Sequence, residues 1–536
     1  MKKKWIIFLI VLGVLMDTFV SLLLGVTFVN ESLYVSVVNP DGKTCTIVDF
    51  EDVPISNIII PRWHHGKKVT RIEDHAFSYN KMLQSVVIPN TVTYVGSSAF
   101  LDCINLKRVK ISKSVTSIQG GTFYGCISLK TVQIPSSVTQ IGNSAFFDCR
   151  NLKSVKIPAS VTTIENAAFY GCKNLVTLQM PDSVTYVGEG VFSNCPNLRY
   201  KVKDGLKYLG NFKNPYAYLV GATNEDLITA NISKKCKIIA ANAFYNNKKL
   251  KTINIPDSVE SVGKNAFAGC NNLQYNKNKG LLYLGNDNEP YIYLVTPGNK
   301  GLTEYEIAEG CKFIREKAFE TCQNARSIVM PQSLLEIGDY AFARCSKLAS
   351  IEIPDSVRKL GYNTFSACTS LTEITIPNRV TEIPFALFEC CTSLTTVVMG
   401  DGVKEIDDYA FSDCQSLVNV VMSDSITKIG SFAFANCTAL TEIKLPKSTR
   451  VIALHAFEGC NALSKIIIPA SVKFIGIYAF KGCVKLIIFC ETDALIDEWD
   501  ASWNFNRSPV YYYSEFEPKT SGRYWHYDKD GNVVLW

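Results

Sequence analysis

A phenylalanine that returns every 23 residues constrains this chain more than any other feature. It falls at Phe77, Phe100, Phe123, Phe146, Phe169 and Phe192, mostly as the second residue of an Ala-Phe pair. After an irregular centre it recurs at Phe244 and Phe267, then at Phe319, Phe342, Phe365, Phe388, Phe411, Phe434, Phe457 and Phe480. Periods of roughly 20–50 residues mark stacked repeats, in which each unit buries its apolar face only against its neighbours. A chain of 536 residues built this way need not divide into several globes. Its core grows in one dimension and so escapes the ceiling of roughly 250–300 residues on a single globular core.

The unit from Phe146 to Ala168 reads F-x-x-C-x-x-L-x-x-V-x-I-P-x-S-V-x-x-I, with Cys149, Leu152, Val155, Ile157, Pro158, Val161 and Ile164 at the named positions. The L-x-x-V-x-I stretch alternates as a strand does, with Val155 and Ile157 inward, and the proline stops its pairing. Val161 and Ile164 then face inward from a return arc. Ala168, Phe169 and Cys172 fit one face of a short helical turn. The expected fold is a β-rich α/β solenoid with one parallel-sheet strand per coil, short helical turns on the return face, and capped ends.

The phrase I-P-x-S-V-x-x-I-G-x-x-A-F-x-x-C-x-x-L runs from Ile134 to Leu152 and, with small departures, from Ile353 to Leu371. It resembles the bacterial BspA-like leucine-rich repeat family of cell-surface proteins, over about residues 58–490. The resemblance implies a leucine-rich repeat superhelix and, commonly, adhesion to host proteins or surfaces. It names no ligand.

The solenoid is expected over residues 77–486, and its centre departs from the period in an orderly way. Leu198 to Leu227 and Leu273 to Leu302 are each 29 residues apart, so two variant coils lie near 198–226 and 273–301. In both, the marker phrase gives way to near-identical text, Gly205 to Val220 and Gly280 to Val295, with a Gly-Asn turn and a following proline. Two β-rich runs around such a turn predict a hairpin. Its tyrosines, Tyr208, Tyr216, Tyr218, Tyr283, Tyr291 and Tyr293, either present an aromatic contact surface or fill the space left by the missing turn. Solenoid ends need caps. Residues 30–76, with the turn Asn39-Pro-Asp-Gly42, supply one, and the aromatic-rich stretch 487–536 the other.

Three lysines, Lys2 to Lys4, precede an apolar run from Trp5 to Val29 that is broken at Asp17 and Thr18. A basic start before an apolar stretch is the pattern of a secretory signal or membrane anchor. Residues 1–29 therefore predict export, with cleavage or retention both open and membrane anchoring falling to residues 5–29.

Fourteen of the nineteen cysteines lie three residues after a marker phenylalanine, from Cys103 to Cys483. Such regularity suits a small inward side chain, and free cysteine is among the most buried residue types. Disulfides between neighbouring coils are the rival reading, since their Cα atoms would approach bridging distance. Of the five histidines, His64 and His65 sit in a loop expected to be solvated, and His75 and His455 precede the marker. No ligand-spaced Cys/His cluster, P-loop, nucleophile elbow or zinc-protease motif occurs, so neither metal, cofactor nor catalysis is expected.

Binding is expected where solvent-facing residues vary on the fixed frame. In successive strands these positions read Lys107, Arg108, Lys110; Lys130, Thr131, Gln133; Lys153, Ser154, Lys156; and later Lys251, Thr252, Asn254. Lysines on adjacent strands lie about 4.8 Å apart, inside a Debye length of about 8 Å, and repel one another. The candidate ligand face is therefore Lys107, Arg108, Lys110, Lys130, Lys153, Lys156 and Lys251, for a protein or anionic glycan on a host or environmental surface. A lysine-rich face that merely keeps a sheet soluble is the bland alternative. The formal net charge of +6 is small for the length and gives no reason to expect a nucleic acid. A monomeric adhesion scaffold is the first expectation. An envelope protein held to the producer's own wall by its C-terminal aromatic segment is the second.

Overall fold

The computed structural model describes residues 31–39, 41–51, 54–496, 499–518 and 522–536. The expected signal or anchor at 1–29 lies outside the described residues. The chain forms two compact units, one reaching to Thr252 with Ser258–Asn272, the other comprising Ile253–Asp257 with Leu273–Trp536.

In the first unit the strands Ser85–Val87, Arg108–Lys110, Thr131–Val132, Ser154–Lys156 and Thr177–Gln179 pair in parallel. The register runs Ser85↔Arg108↔Thr131↔Ser154↔Thr177, a step of one repeat each time. The return arc holds a second row, Ser117–Ile118, Gln140–Ile141, Thr163–Ile164 and Tyr186–Val187, with equally regular register. Each of these coils thus carries two short parallel strands. Between the rows lie the inward side chains, with Leu152, Val161, Ile164, Phe169 and Cys172 fully buried.

The helical turns expected at the marker are absent. The only helix among the described residues is the 3-10 turn Glu31–Leu33, and each marker segment is a run of turn. Its residues alternate in hand: Ser98 and Asp102, flanking Phe100, have φ of 54° and 52°. Alternation aims every second N–H along the stack. Ser98, Phe100 and Asp102 donate to the carbonyls of Gly120, Thr122 and Tyr124 in the next coil, while Leu101 and Cys103 bond back to Ser98 and Phe100. Bonding between coils has displaced the bonding within one segment that a helix needs. The marker rings form a ladder. Phe77 to Phe192 stack at centroid distances of 5.1 to 6.0 Å, and in the second unit Phe319 to Phe480 stack at 5.1 to 5.5 Å.

The ladder cysteines have a specific partner. The Cys103 thiol donates to the Phe77 carbonyl at 3.1 Å, Cys149 to Phe123 at 3.3 Å, Cys391 to Phe365 at 3.1 Å and Cys483 to Phe457 at 3.1 Å. Every ladder thiol but that of Cys322, whose coil follows the second variant coil, reaches back in this way to the marker carbonyl one coil earlier. Asn80 and Asn247 occupy the same slot in coils that follow no marker phenylalanine. There Asn80 turns its Oδ1 onto the N–H groups of Met82 and Leu83. All cysteines are free, and all but half-buried Cys390 are buried.

The hairpins expected in the variant coils are present, and each gains a third strand. Lys201–Lys203, Leu206–Leu209 and Tyr218–Ala222 form an antiparallel meander whose last strand joins the return-arc row by pairing in parallel with Ile238–Ile239. In the second unit Asn276–Asn278, Leu281–Leu284 and Tyr293–Pro297 repeat it and pair with Phe313–Ile314. At the N-terminal end Tyr34–Val38 and Thr44–Phe50 pair as an antiparallel hairpin, and Phe50 packs on Phe77 at 5.3 Å. At the C-terminal end Trp503 stands edge-on to Phe480 at 6.1 Å and to Trp499 at 5.0 Å. Beyond it the sheet of the second unit continues through Ile487–Cys490, Val510–Tyr513, Tyr524–Tyr527 and Val533–Leu535.

Candidate ligand-binding face

Backbone register decides which of the candidate cations stand together. The Lys130 N–H bonds the Lys107 carbonyl, the Lys153 N–H bonds the Lys130 carbonyl, and the Val176 N–H bonds the Lys153 carbonyl. Lys107, Lys130 and Lys153 therefore form one column across three neighbouring strands, and all three are exposed. Lys110 and Lys156 share a second column with Gln133 and Gln179, while Arg108 heads a third, followed by Thr131 and Ser154. The alternation of the strand keeps Val109, Val132 and Val155 underneath, within the core. The face is a row of cations on a rigid sheet.

None of these six cations meets a carboxylate in an ion pair of the described residues. One neutral partner is recorded, the Gln84 Oε1 that accepts from Lys107 Nζ at 2.9 Å. Arg199 belongs to the first column as well, its N–H bonding the Val176 carbonyl. The strand reading missed it because the regular phrase ends at Leu198, although its position after that leucine matches Lys107, Lys130 and Lys153. Lys251 stands apart. The six-stranded sheet that carries the column ends at Thr177–Gln179, and the Lys251 N–H bonds the Ile228 carbonyl instead. The meander of the first variant coil breaks the run between them.

Most of the candidate aromatic contacts prove to be interior. Tyr208, Tyr218, Tyr283 and Tyr293 are buried, and only Tyr216 and Tyr291 are half-buried. The reason is polar as well as volumetric. The Tyr208 hydroxyl accepts the Ser233 N–H at 3.0 Å and the Tyr283 hydroxyl accepts the Ala308 N–H at 3.0 Å. Ser233 and Ala308 stand where the regular phrase has its proline and so bring an N–H that a proline lacks; these rings supply its acceptor and are corrected here from contact residues to core. His64 is likewise corrected from a solvated loop residue. It is buried, with its Nδ1 2.6 Å from Ser36 Oγ. Among the described residues no group of three or more His, Cys, Asp or Glu side chains is arranged to hold a metal ion.

A stack of repeats with in-register parallel strands, leucine-led coils and a phenylalanine spine defines a leucine-rich repeat solenoid. The chain belongs to the BspA-type leucine-rich repeat family, whose model matches residues 50–210, 222–286, 298–418 and 404–493. Among solved structures it is similar to a leucine-rich repeat protein from Bacteroides ovatus, at 23% identity over 85% of this chain and 92% of that one, with a TM-score of 0.33. It is also similar to a leucine-rich cell surface protein from Faecalibacterium prausnitzii, at 29% identity over 77% and 93% of the two chains, with a TM-score of 0.29. The pneumococcal vaccine antigen PcpA matches at 19% identity over 73% and 96%, with a TM-score of 0.31. Comparison with curated proteins gives no match.

Proposed function

We propose that this protein is an exported, surface-displayed interaction and adhesion scaffold that grips a host or environmental macromolecule through its exposed sheet face, without catalysis. The observation that carries the reading is the in-register column of Lys107, Lys130 and Lys153, exposed and free of carboxylate partners. Holding like charges about 4.8 Å apart on neighbouring strands is unfavourable in the free protein, and an anionic protein or sulfated glycan laid across the strands relieves it. In this reading residues 1–29 direct export, 77–486 carry the recognition frame, and 30–76 and 487–536 close its ends.

The C-terminal aromatic segment serves the frame first. Trp499, Trp503 and Trp525 are buried, which leaves wall attachment through residues 487–536 the weaker alternative. Retention on a heparin column tests the main reading. The Lys107→Glu, Lys130→Glu, Lys153→Glu triple variant should elute at markedly lower salt than the parent chain. Equal retention would sink the proposal. Pull-downs against host-matrix and mucin fractions, beside purified cell wall, then separate an external partner from the producer's own envelope.

A further inference from the structure

Every marker turn that is followed by another marker turn in the next coil sends three N–H groups forward along the stack. In the turn at Phe146 they are those of Ser144, Phe146 and Asp148, which donate to the carbonyls of Asn166, Ala168 and Tyr170. In the turn at Phe169 they are those of Ala167, Phe169 and Gly171, donating to Glu189, Val191 and Ser193. The turn at Phe192 has the same conformation, with φ of 63° at Gly190 and 57° at Asn194. The coil after it is the first variant coil, which has no marker turn and hence none of these carbonyls. Among the described residues the N–H groups of Gly190, Phe192 and Asn194 accordingly have no acceptor.

The C-terminal end shows what the row requires. There the chain supplies acceptors from outside the repeat: the Tyr478 N–H bonds the Ser502 carbonyl at 3.2 Å and the Gly482 N–H bonds Asn506 Oδ1 at 3.3 Å. At Phe192 no such segment arrives. The turn opens instead on a cleft of about 550 Å³ lined by Lys173, Phe192, Asn194, Cys195, Pro196 and Tyr200. Backbone N–H groups left without an acceptor are donors for an anion. Lys173 adds a full positive charge on the same wall.

We propose that the turn Gly190–Pro196, together with Lys173, is a binding site for a compact oxyanion, a carboxylate or sulfate group. The group takes the open N–H groups of Phe192 and Asn194, which line the cleft with Lys173, and sets its charge against the Lys173 ammonium. This site is distinct from the lysine column and does not depend on that column binding a partner. Free ions and acidic groups borne on a polymer share this chemistry.

The experiment follows the glycine, phenylalanine and asparagine amides of the full-length chain by selectively labelled NMR. Sodium sulfate, sodium acetate and a sulfated heparin oligosaccharide are the probes, with sodium chloride at matched ionic strength as the reference. Saturable shifts at Phe192 and Asn194 that chloride does not reproduce are expected. The Lys173→Glu variant, at an exposed position, should weaken the binding about tenfold, the scale of one lost charge-assisted contact. A Lys107→Glu, Lys130→Glu variant should leave it unchanged. Saturation by sulfate or acetate identifies a site for free ions, and saturation by the oligosaccharide alone identifies a polymer-borne group. Shifts that match chloride for every probe, or that survive Lys173→Glu undiminished, overturn the proposal.

Discussion

A ladder thiol has two duties, filling a space too small for a larger side chain and donating to a carbonyl one coil back. Both need it protonated. Burial pushes the thiols of Cys103 and Cys391 up to about 12 from an ordinary value of 9.0, and those of Cys236, Cys311 and Cys490 to about 12 as well. In the unfolded chain the same thiols ionise near their ordinary value. Above it, the unfolded state binds fewer protons than the native state, so stability falls as pH rises; below it, their contribution is fully retained. Each such thiol lowers stability by about 1.4 kcal/mol per pH unit in that window, and the losses of the raised thiols add; Cys195, whose thiol a hydrogen bond with Cys172 holds below its ordinary value, is not among them. Urea unfolding should therefore show a midpoint that is flat up to about pH 8.5 and drops steeply beyond it. A midpoint unchanged at about pH 10 would mean that the thiols are not held protonated. Cys390 behaves differently because it is half-buried, although burial and the nearby Asp413 and Glu389 carboxylates raise its thiol too. Alkylation of the native chain by iodoacetamide should modify Cys390 well before any ladder cysteine, as peptide mapping would show.

A coil is the smallest element that the sequence specifies completely, and its register was legible for that reason. Strand pairing such as Ser154↔Thr177 follows once the phase is known, because one repeat equals one rung. The marker turn was not legible. The positions of Ala168, Phe169 and Cys172 suit one face of a helix and suit the alternating turn equally well. What decides between them is a set of N–H bonds to the next coil, which no local pattern encodes. The variant coils were legible as hairpins from Gly205 and Gly280 onward, yet the role of their tyrosines depended on an acceptor being needed at Ser233 and Ala308. Replacing Tyr208 by Phe keeps the ring and strands the buried Ser233 N–H. A loss of about 1–3 kcal/mol is expected, the cost of an unsatisfied buried donor. Tyr283→Phe should behave alike through Ala308. Hydrogen exchange should place the added opening at Ser233 or Ala308 and their neighbours, and a neutral result in both variants would show that the hydroxyls are dispensable.

Along each unit, stability is a sum of coils and of the interfaces between nearest neighbours, so damage should stay local and an end should matter more than a middle. The lysine column illustrates the same logic for binding. It could be read from the sequence as far as the strands kept their phase, up to Lys156; the meander then separated Lys251 from it and hid Arg199. The C-terminal cap offers the sharpest test. Trp503 is buried and stands against both Phe480 and Trp499, closing the end of a phenylalanine ladder whose other rungs are each covered by the next. Trp503→Ala should cost about 3–5 kcal/mol at that end, as for other buried aromatic truncations. The loss should not spread evenly through a globular core. It should fray the stack from the cap inward: amide protection would fall most in the coils of Phe480 and Phe457, less at Phe434, and not at all near Phe342. Protection lost equally along Phe342 to Phe480 would show that the second unit unfolds as one cooperative body, and the nearest-neighbour account of this solenoid would have to be abandoned.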